Sequence, residues 1–133
     1  MIIPVTAVFA AVLGILLLVL SAMVVRCRLK HQVGMGVNEN RVFQATVRAH
    51  ANLVEYAPFA LIMLAIAELN GVSSTWIYWS GMALVVGRIL HAFGMIKGKG
   101  KTHMGRLVGT ILTWLSILVT AILLLWNVGT VYG

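Results

Sequence analysis

The sequence predicts an all-α integral membrane protein, a bundle of four transmembrane helices in a single domain covering residues 1–133. Three observations predict it. The 133 residues are 61% hydrophobic and only 10% charged, too little charge to solvate a water-soluble domain of this size. The apolar residues fall into four long stretches, each near or above the ~20 residues that cross a ~30 Å hydrocarbon core. Outside those stretches, Lys and Arg occur only in alternate connections.

The first span covers about residues 4–25 without a charge. Pro4 suits a first helical turn. The run is too long for a cleavable leader, and its basic residues follow rather than precede it. The second span covers about residues 42–69 and contains Pro58, which removes an N–H from the helical ladder. The third covers about residues 76–96 and the fourth about 107–126. The first connection carries Arg26, Arg28, Lys30 and Arg41, and the third carries Lys97, Lys99, Lys101 and Arg106. The second connection and both termini carry none. Four crossings put the first and third connections on the same side, which the positive-inside rule makes cytoplasmic, with both termini outside. Trp76, Tyr78, Trp79 and Trp126 then fall near the outer border as an aromatic belt. The formal charge of +7 is accounted for by these flanks, so no nucleic-acid partner is expected.

Within the spans lie residues that a membrane helix rarely carries: Arg48, His50, Asn52, Glu55, Arg88 and His91. An ionisable group at the bilayer centre costs roughly 2.5–3.5 kcal/mol on insertion scales, so such groups pair, face the bundle or line a wet site. Helical rise puts Glu55 roughly 9 Å and Arg88 about 12 Å inside the basic border, with His91 about 7–8 Å deep. Shared depth and opposite charge predict a Glu55–Arg88 pair. Arg41, Gln44, Arg48, Asn52 and Glu55 form one polar stripe on the second helix; His50 lies off it. Ser80, Ala83, Gly87, His91 and Gly94, and on the fourth helix Gly105, Gly109 and Thr113, form small-residue stripes suited to close helix approach. Glu68, beside Asn70 at the outer border, reads as solvated. The histidines and the lone Cys27 form no metal-binding pattern, and Cys27 reads as an interfacial residue.

Arg48-Ala49-His50-Ala51-Asn52-Leu53-Val54-Glu55 with Pro58-Phe59 reads R-A-H-x-N-x-x-E-x-x-P-F. It resembles the signature of the membrane-associated proteins in eicosanoid and glutathione metabolism, the MAPEG family. Val86-Gly87-Arg88-Ile89-Leu90-His91 is similar to that family's third-helix element, Val25-Arg26-Cys27-Arg28 to the basic end of its first helix, and Arg106 to its thiol-activating arginine. The resemblance implies a homotrimer in which glutathione, the co-substrate, lies between subunits. It implies glutathione binding by Arg26, Asn52, Glu55 and His91, with Arg48 and Arg88 supporting them, and thiolate stabilisation by Arg106. A lipophilic small molecule would arrive from the bilayer. Ala51 and Met95 depart from the eicosanoid-forming pattern, and the short loops look like bacterial members, which implies an inner-membrane location. The expected function is a glutathione-dependent transferase acting on lipophilic electrophiles, with peroxide reduction as a companion activity. Two other readings stand beside it: a non-catalytic lipid- or glutathione-binding scaffold, and a small four-helix transporter using Glu55 as its proton carrier.

Overall fold

The computed structural model describes residues 1–132. It contains four helices, α1 (Pro4–His31), α2 (Arg41–Leu69), α3 (Ser74–Lys97) and α4 (Met104–Tyr132). All are long and apolar enough to cross a membrane, and within a bilayer the helix satisfies its own backbone polar groups. The helices run past the hydrophobic limits read from the sequence. α1 continues through Arg26, Arg28 and Lys30 to His31, because basic residues at a helix C-terminus complement its dipole and extend it into the headgroup layer. α4 also runs past its apolar limits at both ends, though its last turn carries no basic residue.

α3 is the hub. It packs on α1, α2 and α4, whereas α1 and α4 do not meet among the described residues. The tightest seam is α3–α4, where glycines remove the side chains that would separate the backbones. A Cβ on Gly109 would fall inside contact distance of the Gly87 carbonyl and the His91 backbone, and one on Gly94 would meet the backbone of Gly105 and Arg106. The small-residue stripes are therefore the contact surface itself. A hydroxyl bridges it: Ser116 Oγ donates to the Ser80 carbonyl at 2.7 Å, while the buried Thr120 Oγ1 is satisfied within α4 by the Ser116 carbonyl at 2.7 Å. Leu13, Leu20, Leu53, Leu64, Ile77 and Leu84 fill the space between α1, α2 and α3.

Helix ends are fixed by individual side chains. Asn40 Oδ1 accepts from the Phe43 amide at 2.9 Å and caps α2. The start of α1 has no side-chain cap of its own. Glu68, from the far end of α2, supplies one: its two carboxylate oxygens accept from the Val5 and Thr6 amides at 2.9 and 2.8 Å. Glu68 is thus not a merely solvated residue, since free amides and dipole at a helix N-terminus attract a carboxylate. On the same end of the bundle, Asn127 Nδ2 donates to the Asn70 carbonyl at 3.3 Å and ties α4 to the α2–α3 turn. At the basic end, Phe43 is fully buried, with the His31 ring stacked on it at 5.5 Å and the Arg28 guanidinium over its face at 5.8 Å. His50, off the polar stripe, meets Ser21 Oγ through Nε2 at 3.1 Å, a polar contact between α1 and α2.

Candidate functional site

Two linked groups of polar residues occupy the basic half of the bundle. The first is buried. Arg88 is 2% exposed; its Nε donates to Thr113 Oγ1 at 2.9 Å, its Nη1 donates to Asn52 Oδ1, and its guanidinium lies 5.2 Å from the Tyr56 ring centroid. Thr113 Oγ1 in turn donates to the Gly109 carbonyl at 2.8 Å. Three helices are joined through one guanidinium held by neutral acceptors and a π-face.

The expected Glu55–Arg88 pair does not form. The Glu55 carboxylate is taken by Arg48 on its own helix, two turns away: Nη1 and Nη2 donate to its two oxygens at 2.9 and 3.3 Å. These side chains are 57% and 47% exposed, so the pair lies on the outside of the bundle. Depth placed Glu55 and Arg88 level, but Glu55 is turned away from α3 around the α2 axis, while Asn52 is turned toward it.

The second group surrounds an open cavity of about 220 Å³ where the start of α2 meets the α3–α4 connection, lined by Arg41, Gln44, Arg48, Met95, Lys99 and Arg106 among others. The α2 stripe supplies one wall, because its spacing keeps Arg41, Gln44 and Arg48 on one side of the helix. The α3–α4 turn supplies the other. Lys99 sits in the left-handed region (φ 51°) and Gly100 likewise (φ 77°), which turns the chain sharply. Arg106, in the first turn of α4, donates from Nη1 to the Gly100 carbonyl at 3.2 Å, leaving most of its five N–H donors free. Four cations thus face one cavity at a helix N-terminus, a setting that favours an anion.

The residues expected to act together are partly gathered within one chain. Arg48 and Arg106 share the cavity, and Glu55 and Asn52 extend from it along α2 through Arg48 and toward Arg88. His91 is 4% exposed and packed in the α3–α4 seam, one turn from the cavity-lining Met95. Arg26 is exposed on α1 and lines no wall of this cavity. Three participants were not singled out from the sequence. Tyr56 is one turn beyond Asn52 on the same face of α2, a spacing that could have revealed it. Thr113 was read only as a small residue, and Lys99 only as one of the basic residues of the third connection. Among the described residues no group of three or more His, Cys, Asp or Glu stands where it could hold a metal ion.

A four-helix membrane bundle with a cationic cavity at its basic end and a polar stripe leading into it defines the class of this protein. Comparison with known proteins names the family. The model of the MAPEG family matches residues 6–126, and the chain belongs to that family. It is similar to the inner membrane protein YecN of Escherichia coli K12, 30% identical over 122 residues, which is 92% of this chain and 91% of that protein. The YecN of E. coli O6:H1 strain CFT073 matches to the same extent.

Proposed function

We propose that the protein is a glutathione-dependent transferase that conjugates lipophilic electrophiles drawn from the bilayer, working as a homotrimer in a bacterial inner membrane. The observation that carries this reading is the cavity faced by Arg41, Arg48, Lys99 and Arg106. Glutathione brings two carboxylates and a thiol, and the chain has only three acidic residues with which to neutralise those cations. Membership of the MAPEG family supports the ligand. The name of the E. coli relative supports the membrane, and the basic connections favour the cytoplasmic side for the cavity.

In this reading Arg48 and Arg41 receive glutathione carboxylates, Gln44 and Asn52 supply hydrogen bonds, and Glu55 accepts from the glutathione ammonium. Arg106 stabilises the thiolate. A free thiol has a reference pKa of about 8.5; lowering it by about two units makes the thiolate dominant at neutral pH and takes roughly 2.7 kcal/mol of preferential stabilisation. A guanidinium at a helix N-terminus in a half-dry cavity is of that order. The thiolate sulfur attacks the electrophilic carbon, a C–S bond forms, and the leaving group departs with the electron pair. Arg26 stands apart from the cavity of its own chain, so its participation requires a neighbouring subunit, as does any role for the exposed Glu55 edge. The test is turnover. Purified protein in lipid nanodiscs, given glutathione and a chloronitroaromatic electrophile, should form the conjugate and measure three chains by mass. Glutathione binding without conjugation or a thiolate would make the protein a binding scaffold instead.

A further inference from the structure

Two apolar hollows lie end to end along the α1–α3 seam, on the side of α1 away from His50 and α2. The outer one, of about 460 Å³, is bounded by Phe9 and Tyr78. There α1 is pinned to α3, because the Phe9 ring sits where a Cβ on Gly81 would be. The inner one, of about 340 Å³, runs between Leu16, Val19 and Met23 on α1 and Ile89, Phe93 and Lys97 on α3. Ala92 and Leu20 are also in its lining, and neither is large enough to close it. The α1 wall has a continuation. Leu16, Val19 and Met23 share a helical stripe with Arg26 and Lys30, and α1 remains helical through both. The furrow therefore changes at its basic end from apolar walls to Lys97 in its own lining, with Lys30 about two turns beyond Met23 on the α1 stripe, both exposed. The carboxylates within the spans are engaged elsewhere: Glu55 by Arg48, and Glu68 by the start of α1.

We propose that this inner furrow binds one anionic phospholipid of the basic-side leaflet, its acyl chain between residues 16–23 of α1 and 89–96 of α3 and its phosphate between Lys97 and Lys30. The chemistry matches at both ends. An apolar slot at hydrocarbon depth takes a chain, and two ammoniums at the border take a phosphate as point charges. The site is separate from the cationic cavity, because α3 stands between them: Met95 faces the cavity, and Ile96 and Lys97 face the furrow.

The test is native mass spectrometry of delipidated protein titrated with phosphatidylglycerol or with phosphatidylcholine of the same chains. Wild type should saturate at one phosphatidylglycerol per chain, preferred over phosphatidylcholine on the order of tenfold. The double change Lys30→Gln/Lys97→Gln should erase the preference while leaving glutathione titration unchanged. Val19→Trp, which fills the furrow from an exposed rim, should abolish the saturable lipid of either kind while far-ultraviolet helicity is kept. Equal retention of both lipids by wild type, uptake that never saturates, or a Val19→Trp protein that binds as wild type does would overturn the proposal. So would a photoreactive side chain at Val19 that labels a second copy of the chain rather than lipid.

Discussion

The seam between α3 and α4 and the outward stripe of α2 treat polar groups in opposite ways. Against α4, Thr113, Ser116 and Thr120 are buried, each hydroxyl donating to a helix carbonyl and Thr113 also accepting from Arg88. Along the α2 stripe, Arg41, Gln44, Arg48 and Glu55 are exposed at membrane depth or at its border. The first arrangement is complete within the chain and makes a joint. The second is closed only in part within the chain, where Arg48 pairs with Glu55 and Gln44 donates to the Asn38 carbonyl, and it stays open to its surroundings. Polarity inside a membrane helix is therefore not itself a sign of function; polarity left open is.

The joint should be the more costly to disturb. Gly109→Val would drive a branched side chain into the α3 backbone. About 3 kcal/mol of stability should be lost, read as a fall in the thermal midpoint of helicity in detergent, whereas the same change at Gly129, where nothing lies near the added Cβ, should have little effect. Unchanged stability of Gly109→Val would mean that α3 and α4 are not in backbone contact.

A sharper cut separates the buried guanidinium from the open pair. A double-mutant cycle of Arg88→Met with Asn52→Leu should show coupling of about 1–2 kcal/mol, because either single change leaves a buried group without its partner. The cycle of Arg88→Met with Glu55→Gln should be close to additive in protein without glutathione. Strong coupling in the second cycle would restore the Glu55–Arg88 pair, by way of a neighbouring subunit.

Glu68 sits between these extremes, bonded like the joint but at the membrane border. Glu68→Gln keeps the shape and one acceptor oxygen while removing the charge, so about 1 kcal/mol should be lost. Hydrogen exchange at the Val5 and Thr6 amides should rise with no change at the Asn40 cap of α2. Exchange that does not respond would place Glu68 in water, as its sequence position suggests.

These contrasts mark what the sequence could and could not convey. The four spans and the glycine stripes of α3 and α4 were legible, because hydrocarbon thickness and helical period translate directly into residue spacing. The C-terminal end of α1 was not: hydropathy reports where the hydrocarbon stops, whereas the helix continues through Arg26, Arg28 and Lys30. Helical rise gave the depth of Glu55 and Arg88 correctly enough, but depth does not fix which way a side chain faces a neighbouring helix. That angle depends on how α2 and α3 pack, and it gave Arg88 to Asn52 and Thr113. The cap on α1 from Glu68 joins residues more than sixty positions apart, a tertiary contact with no local signature. Arg106 was legible as a residue at the head of α4, but its company of Arg41 and Lys99 depended on the fold of the α3–α4 turn.

The central claim is that the open stripe and the cationic cavity take glutathione and ionise its thiol. Calorimetric titration of the detergent-purified protein, followed by the ultraviolet thiolate band of the bound ligand, tests it most directly. Wild type should bind glutathione and show the band at neutral pH; Arg106→Leu should retain much of the binding and lose the band, and Lys101→Leu should keep both. Wild-type protein that releases no heat with glutathione and shows no thiolate would contradict the account.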